Sequence, residues 1–303
     1  MSTAYLFPGQ GSQRPGMGRA FYEAWPATRE RFDALDAATD ADLAGLCFDA
    51  DAATLRATAN AQPATFATGL AAYAGAVERI GPPDYVAGHS LGHLTAAAAA
   101  GLLPPEAGVG LVRRRGELMA RAARERGPGT MVAVGPADPG TVAAACAERE
   151  GVAVAAYNAP RRTVVSGVRE AVAAARAAVG ERTRARFVDL DVAAAFHSPV
   201  VQPAVEPFAD AVADAPLRAA DRPVCSDVSG AVYTDPSVAR REWVEALTAP
   251  VDWVGAVEAL ADRGVDRYVE FPPAGTLTDL VTRIDPDAET TALEAPADAE
   301  VLA

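Results

Sequence analysis

Lysine is absent from this chain: all 27 of its basic residues are arginine. That excludes a lysine Schiff base, a lysine general base and the lysine of a phosphate-binding loop. Cysteine is scarce as well. Cys47, Cys146 and Cys225 are odd in number and far apart, which argues against a disulfide frame or a zinc cluster and favours reduced thiols in the cytoplasm. No long apolar run occurs; stretches such as LTAAAAAGLL fall well short of the roughly 20 residues that span a bilayer. The opening MSTAYLFPGQ has no basic start and is broken early by Pro-Gly, so no secretory signal is expected. A net charge of −13 argues against nucleic acid as a partner for the surface as a whole.

What is present is a folded chain of 303 residues, half of them hydrophobic, with room for one large unit or two. AYLFPGQGSQ reads as a buried strand and a glycine-rich loop, and QPATFATGLAAYAGAVERIG as a buried helix. DYVAGHSLGHLTAAAAAG gives strand, tight turn and helix, the repeating unit of an α/β fold, and a further helix is expected from about Pro105 to Arg126. After GPG at 127–129 the order becomes β-α-β-β-α-β, the ferredoxin-like pattern. The expected architecture is therefore α/β, with a discontinuous large unit of α/β-hydrolase type (1–126 and 197–303) and a small ferredoxin-like insertion (127–196). The acidic end from Asp285 onward reads as a loose tail.

Two of the three histidines fall within GHSLGH, Gly88 to His93. A serine in G-x-S-x-G between a strand and a helix is the pattern of a nucleophile elbow, with the Leu91 N–H opening the helix and facing a developing oxyanion. Three histidines could take the proton of Ser90. His89 is adjacent and is expected to point behind the elbow. His93, three residues on, would share a helix face with the serine. His197, in AAAFHSPVV, arrives from a distant segment. Spacing alone leaves His93 and His197 both open. Arginine clusters at Arg113 to Arg126, at Arg161 with Arg162, and at Arg182 to Arg186 are either solvated surface or a local basic face for an acidic or phosphate-bearing partner.

FPGQGSQ, QPATF, GHSLG, RGELM, NAPRRTVVSG, AFHSPVV, LTAPVDW and EFPPAGTL occur in this order along nearly the whole chain. In that register the chain resembles the malonyl-CoA:acyl-carrier-protein transacylases and the acyltransferase domains of polyketide synthases. The resemblance implies Ser90 as nucleophile, His197 as base, and the backbone N–H groups of Gln10 and Leu91 as oxyanion hole. It implies that a backbone carbonyl, here that of Ala246, orients the histidine, and that Asn158 helps position substrate. Arg115 matches the arginine that holds the free carboxylate of a malonyl group, for which a guanidinium fork is suited. Phe196 before the histidine is similar to the malonyl-selecting pattern. An acyl-CoA donor, an acyl carrier protein as acceptor, no metal or redox cofactor, no membrane, and a free-standing monomer are expected.

Two departures from the pattern stand out. His93 occupies a position where the family usually has glutamate, which either is neutral or marks an unusual acyl group. EFPPAG replaces a glycine-proline pair. Two other activities share the motifs: an acyltransferase moving an atypical group between carriers, and a serine esterase, which would need an acid such as Asp189 or Asp191 behind His197.

Overall fold

The computed structural model describes residues 2–127 and 129–302; Met1, Pro128 and Ala303, which fall at the ends of the expected units, lie outside the described residues. Eleven strands run among the described residues: β1 (Ser2–Phe7), β2 (Tyr85–Gly88), β3 (Gly129–Gly135), β4 (Val152–Ala159), β5 (Arg162–Val168), β6 (Arg186–Asp189), β7 (Val224–Cys225), β8 (Val232–Tyr233), β9 (Val251–Asp252), β10 (Val265–Glu270) and β11 (Glu289–Ala292). They build a mixed α/β structure with two sheets. The first has the order β11-β10-β1-β2-β7-β8, parallel except for the β7–β8 pair, and the second β6-β3-β5-β4-β9.

The centre of the first sheet, β1 and β2, is continuous apolar sequence because helices cover both of its faces. Tyr5 and Phe7 of β1 are buried against Phe271, with the Phe7 and Phe271 rings stacked at 5.2 Å. The helix Thr58–Ile80 is buried over most of its length, which its run of alanine and glycine permits by close approach. Helix Pro105–Arg126 packs beside it and carries Arg115, Gly116, Leu118 and Met119 of RGELM on its inner face. In the second sheet β3 pairs antiparallel with β5 and β6, and β5 with β4. Its separate core is built from valines, among them Val132, Val134, Val165, Val172 and Val179.

Two features differ from the sequence reading. The edge of the second sheet is β9, which pairs parallel with β4 but comes from residues assigned to the large unit. The acidic end is no loose tail either: β11 pairs with β10, and Leu293 and Ala299 are buried. The apolar positions within that charged stretch are enough to seat it on the sheet edge.

Candidate active site

The first sheet presents the carboxyl ends of β1 and β2 side by side, and both lead into loops over the same crevice, where parallel sheets usually bind ligands. Ser90 follows β2 and opens the helix Leu91–Ala99 with φ 54° and ψ −107°. Glycine on both sides is a steric requirement. A Cβ at Gly92 would lie 1.9 Å from the carbonyl oxygen of Phe7, and one at Gly88 would lie 2.0 Å from that of Gly92. Among the described residues only Ser90 and His197, at φ 53°, are non-glycine residues in the left-handed region. Such strain is sustained where the surroundings over-determine it, and it gathers at functional sites.

These two strained residues meet. Ser90 Oγ lies 2.8 Å from His197 Nε2, and His197 Nδ1 lies 3.0 Å from the carbonyl oxygen of Ala249. The carbonyl can only accept, so it fixes the tautomer: Nδ1–H donates to Ala249, and Nε2 keeps a lone pair for the serine proton. Burial, then the nearby charge of Arg115, lowers the His197 pKa from 6.5 to about 4, against partial offsets from Asp227 and the Ala249 bond. The imidazole is therefore neutral and able to accept a proton across the ordinary pH range.

The orienting carbonyl is not that of Ala246. Ala246 ends the helix Pro236–Glu245 in right-handed helical conformation. The chain turns through Leu247 and Thr248 before Ala249. A residue before proline is biased toward extended backbone, which lets the Ala249 carbonyl point away from that helix.

Arg115 is the other polar group at the serine. Its guanidinium is 2% exposed, donates from Nη2 to Ser90 Oγ at 3.2 Å and from Nη1 to Gln62 Oε1 at 3.0 Å, and its Nε has no acceptor. Burial lowers its pKa to about 10, with the charge of Asp227 offsetting part of that. An enclosed cation with an unused donor is a site for an anion.

A cavity of about 230 Å³ surrounds these groups. Its wall includes Gln10, Asn158, Phe196, Met119, Met131 and Leu280, so it is mostly apolar with polar groups converging at Ser90. The backbone N–H groups of Gln10, in the loop after β1, and of Leu91, the first residue of its helix, donate to no protein acceptor among the described residues. Glu270, fully buried at the end of β10, accepts the N–H groups of Gly275, Leu277 and Thr278 at 2.9 Å each. It thereby caps the helix Thr276–Ile284, which supplies Thr276, Leu277 and Leu280 to the cavity wall.

The two flanking histidines exchange the places expected for them. His89 lines the cavity, its Nε2 2.9 Å from Asn158 Oδ1. His93, expected beside the substrate, is wholly buried behind the elbow and touches Asp227 and Tyr233 instead. Helical periodicity counted from Ser90 fails because the serine is itself not helical. Gln62 and Asp227 were not singled out from the sequence. Gln62 sits in QPATF as a long polar side chain in the buried middle of its helix, a signal that was available; SDVSG offered none for Asp227. Asp189 and Asp191 are exposed and pair with Arg176 and Arg56, so neither serves His197.

The arginine clusters divide. Arg113, Arg121 and Arg182 form surface pairs with Glu117, Glu125 and Glu148. Arg161, Arg162, Arg186 and Arg283 line a groove of about 720 Å³ together with Val188 and Leu190, and Leu190 also lines the cavity.

The family model for the acyl transferase domain matches residues 4–292. The chain belongs to this acyl transferase family. It is 35% identical over 297 residues to the malonyl CoA-acyl carrier protein transacylase of Bacillus subtilis (strain 168), covering 97% of this chain and 93% of that protein. A malonyl-CoA:acyl carrier protein transacylase structure from Xanthomonas oryzae is similar at a TM-score of 0.94 and 36% identity, over 100% of this chain and 98% of that one. A complex of a type II polyketide acyl-carrier protein with its malonyl-transacylase also matches, with a TM-score of 0.93 and 28% identity over 100% of this chain and 99% of that one. Within this acyl transferase no helix among the described residues is long and apolar enough to cross a membrane.

Proposed function

We infer that the protein transfers a malonyl group from coenzyme A to the phosphopantetheine thiol of an acyl carrier protein, by way of an ester on Ser90. The observation that carries this reading is the buried Arg115, in contact with the serine oxygen and with Nε unpaired. A carboxylate at the far end of a three-carbon acyl group satisfies that cation while its thioester carbon meets Ser90; an acetyl group leaves it unpaired.

His197 takes the Ser90 proton on Nε2 as Oγ attacks the thioester carbon. The N–H groups of Gln10 and Leu91 receive the oxyanion. The carbon–sulfur bond then breaks, and the coenzyme A sulfur leaves with the proton from His197. In the second half the carrier thiol gives its proton to His197 and attacks the ester, and Oγ recovers the proton as the acyl group departs. Every bond and proton is accounted for by these residues and two thiols, so no metal or redox cofactor is proposed.

Phe196, 7% exposed in the cavity wall, narrows the space beside the acyl α-carbon, and Asn158 braces His89 at the mouth. The arginine groove suits an acidic carrier, and Leu190 lines both the groove and the cavity, on the path that the pantetheine arm would follow. The strand order β6-β3-β5-β4 with antiparallel neighbours favours a ferredoxin-like insertion at 127–196 in an α/β-hydrolase-like unit. Three buried unpaired cysteines suit the cytoplasm.

The deciding experiment offers malonyl-CoA, methylmalonyl-CoA and acetyl-CoA together, reads the adduct on Ser90 by mass, and then adds a pantetheinylated carrier. A malonyl adduct that passes to the carrier is expected. Preferential acetyl loading, or release of the acyl group to water, refutes the reading.

A further inference from the structure

Behind the elbow, on the side away from the cavity, lies a buried polar group that the transfer chemistry does not use. Asp227, fully buried after β7, accepts the backbone N–H of Ser90 through Oδ2. Its Oδ1 lies 2.8 Å from His93 Nδ1, and His93 Nε2 lies 2.7 Å from the Tyr233 hydroxyl on β8. Nε2 and the tyrosine hydroxyl form a hydrogen bond, while Nδ1 and Oδ1 touch as an ion-pair contact without hydrogen-bond geometry. Asp227 is also fixed through its backbone, whose carbonyl accepts the Asp252 N–H at 2.6 Å. Neither Asp227, His93 nor Tyr233 lines the cavity.

We propose that Asp227 and His93, braced by Tyr233, are positioning residues that hold Ser90 in its strained elbow conformation, and that positions 93 and 227 act as one set, so that a glutamate at 93 is accommodated only beside a neutral side chain at 227. The proposal rests on Ser90 being the nucleophile.

The reasoning is stereochemical. The Ser90 N–H, in a backbone conformation that few side chains favour, needs an acceptor held in one place. The Asp227 carboxylate supplies it and is itself held from its other oxygen. Burial raises the pKa of this carboxyl, but His93, His89 and the Ser90 N–H together outweigh burial and hold it below the usual value. A glutamate at position 93 opposite this aspartate would set two carboxylates face to face, where repulsion raises one pKa until a proton is shared and the acceptor offered to the Ser90 N–H is altered. A glutamate at 93 opposite an amide at 227 restores the set: the amide oxygen accepts the Ser90 N–H and the amide nitrogen donates to the new carboxylate. Either arrangement leaves one negative charge in the same enclosed space. The histidine ending GHSLGH thus reports on its partner at 227, and not on the acyl group.

The test measures two things for each variant: labelling of the serine by a fluorophosphonate, which needs no acyl substrate, and the malonyl loading rate with its KM. His93→Glu is expected to slow both rates by about tenfold or more, since small misplacements of a reacting atom cost up to about 10²-fold. KM and the malonyl-over-acetyl preference are expected to be unchanged. The double variant His93→Glu/Asp227→Asn is expected to recover to within a few-fold of wild type. Should His93→Glu fail to fold, Asp227→Asn and Tyr233→Phe, which keep the size of each side chain, are expected to slow labelling while leaving acyl preference intact. Wild-type rates in His93→Glu or Asp227→Asn, a double variant no faster than the slower single one, or a change of acyl preference overturns the proposal. If the wild type labels normally but loads no malonyl, the function proposed above fails while the labelling series still decides this one.

Discussion

Replacing Arg115 by alanine removes the one charge in the cavity wall that addresses the far end of an acyl group. The magnitude follows from the burial of the guanidinium. Its pKa falls from 12.5 to about 10, which at ~1.4 kcal/mol for each pKa unit is about 3 kcal/mol of unrelieved burial of charge. A malonyl carboxylate relieves that cost in the bound complex and an acetyl group does not, so the guanidinium discriminates by about 10²-fold. In Arg115→Ala the discrimination vanishes, and an unpaired carboxylate buried in an apolar cavity costs about 2–5 kcal/mol, enough to invert the preference. Two side effects must be kept out of the measurement. The Arg115 charge lowers the His197 pKa, so the assay is run near pH 8, where the imidazole is neutral with or without it. The variant also frees Gln62 Oε1, so Gln62→Ala serves as the control for packing. Competition between malonyl-CoA and acetyl-CoA, read as the mass of the Ser90 adduct, should show malonyl dominant in wild type and acetyl equal or dominant in the variant. A variant that still prefers malonyl by the wild-type factor refutes the carboxylate clamp.

The pH dependence follows from His197. Its folded-state pKa lies below the ordinary value, so folding favours the neutral ring. That contribution is complete above about 6.5 and lost as the pH falls toward 4. The loading rate should stay flat through pH 6.5 and fall with an apparent pKa near 4, and Arg115→Ala should move that limb upward. A wild-type limb near 6.5 contradicts the burial account. Reversing charge in the groove with Arg161→Glu and Arg186→Glu should raise KM for the carrier about tenfold or more, with a weaker salt dependence, and leave loading from malonyl-pantetheine unchanged. An unchanged carrier KM removes the groove from the docking path.

Local chemistry was legible in the sequence wherever one residue type was forced by one constraint. The glycines around Ser90 are required by backbone approach, and they announced the elbow. Arg115, which closes a run of three arginines, reads as surface from the residues alone, and only the resemblance carried by RGELM pointed to the cation that the structure buries. The helix from Pro105 to Arg126 and the β-α-β-β-α-β order were likewise readable, because apolar periodicity and glycine breaks set them. What misled was extrapolation through Ser90 itself. The elbow leaves both strand and helix geometry, so the rules that placed His89 behind it and His93 beside it were applied across a break. Tertiary contacts account for the other failures. Nothing local told that Asp227 would receive the Ser90 N–H, or that the carbonyl three residues beyond Ala246 would meet the histidine. The acidic end hid its strand because four pairing residues are outweighed in composition by the charges around them.

Ser90 and His197 are moored to different sheets. Ser90 rides on β2 in the middle of the first sheet. The carbonyl that sets the His197 ring belongs to Ala249, two residues before β9, the segment that adds itself to the second sheet. The 2.8 Å between Oγ and Nε2 is therefore a gauge of how the two sheets are set against each other. A substitution along the β4–β9 seam, remote from any substrate atom, would be felt first in proton transfer and only later in the melting temperature. Whatever pulls on the second sheet pulls on the His197 ring.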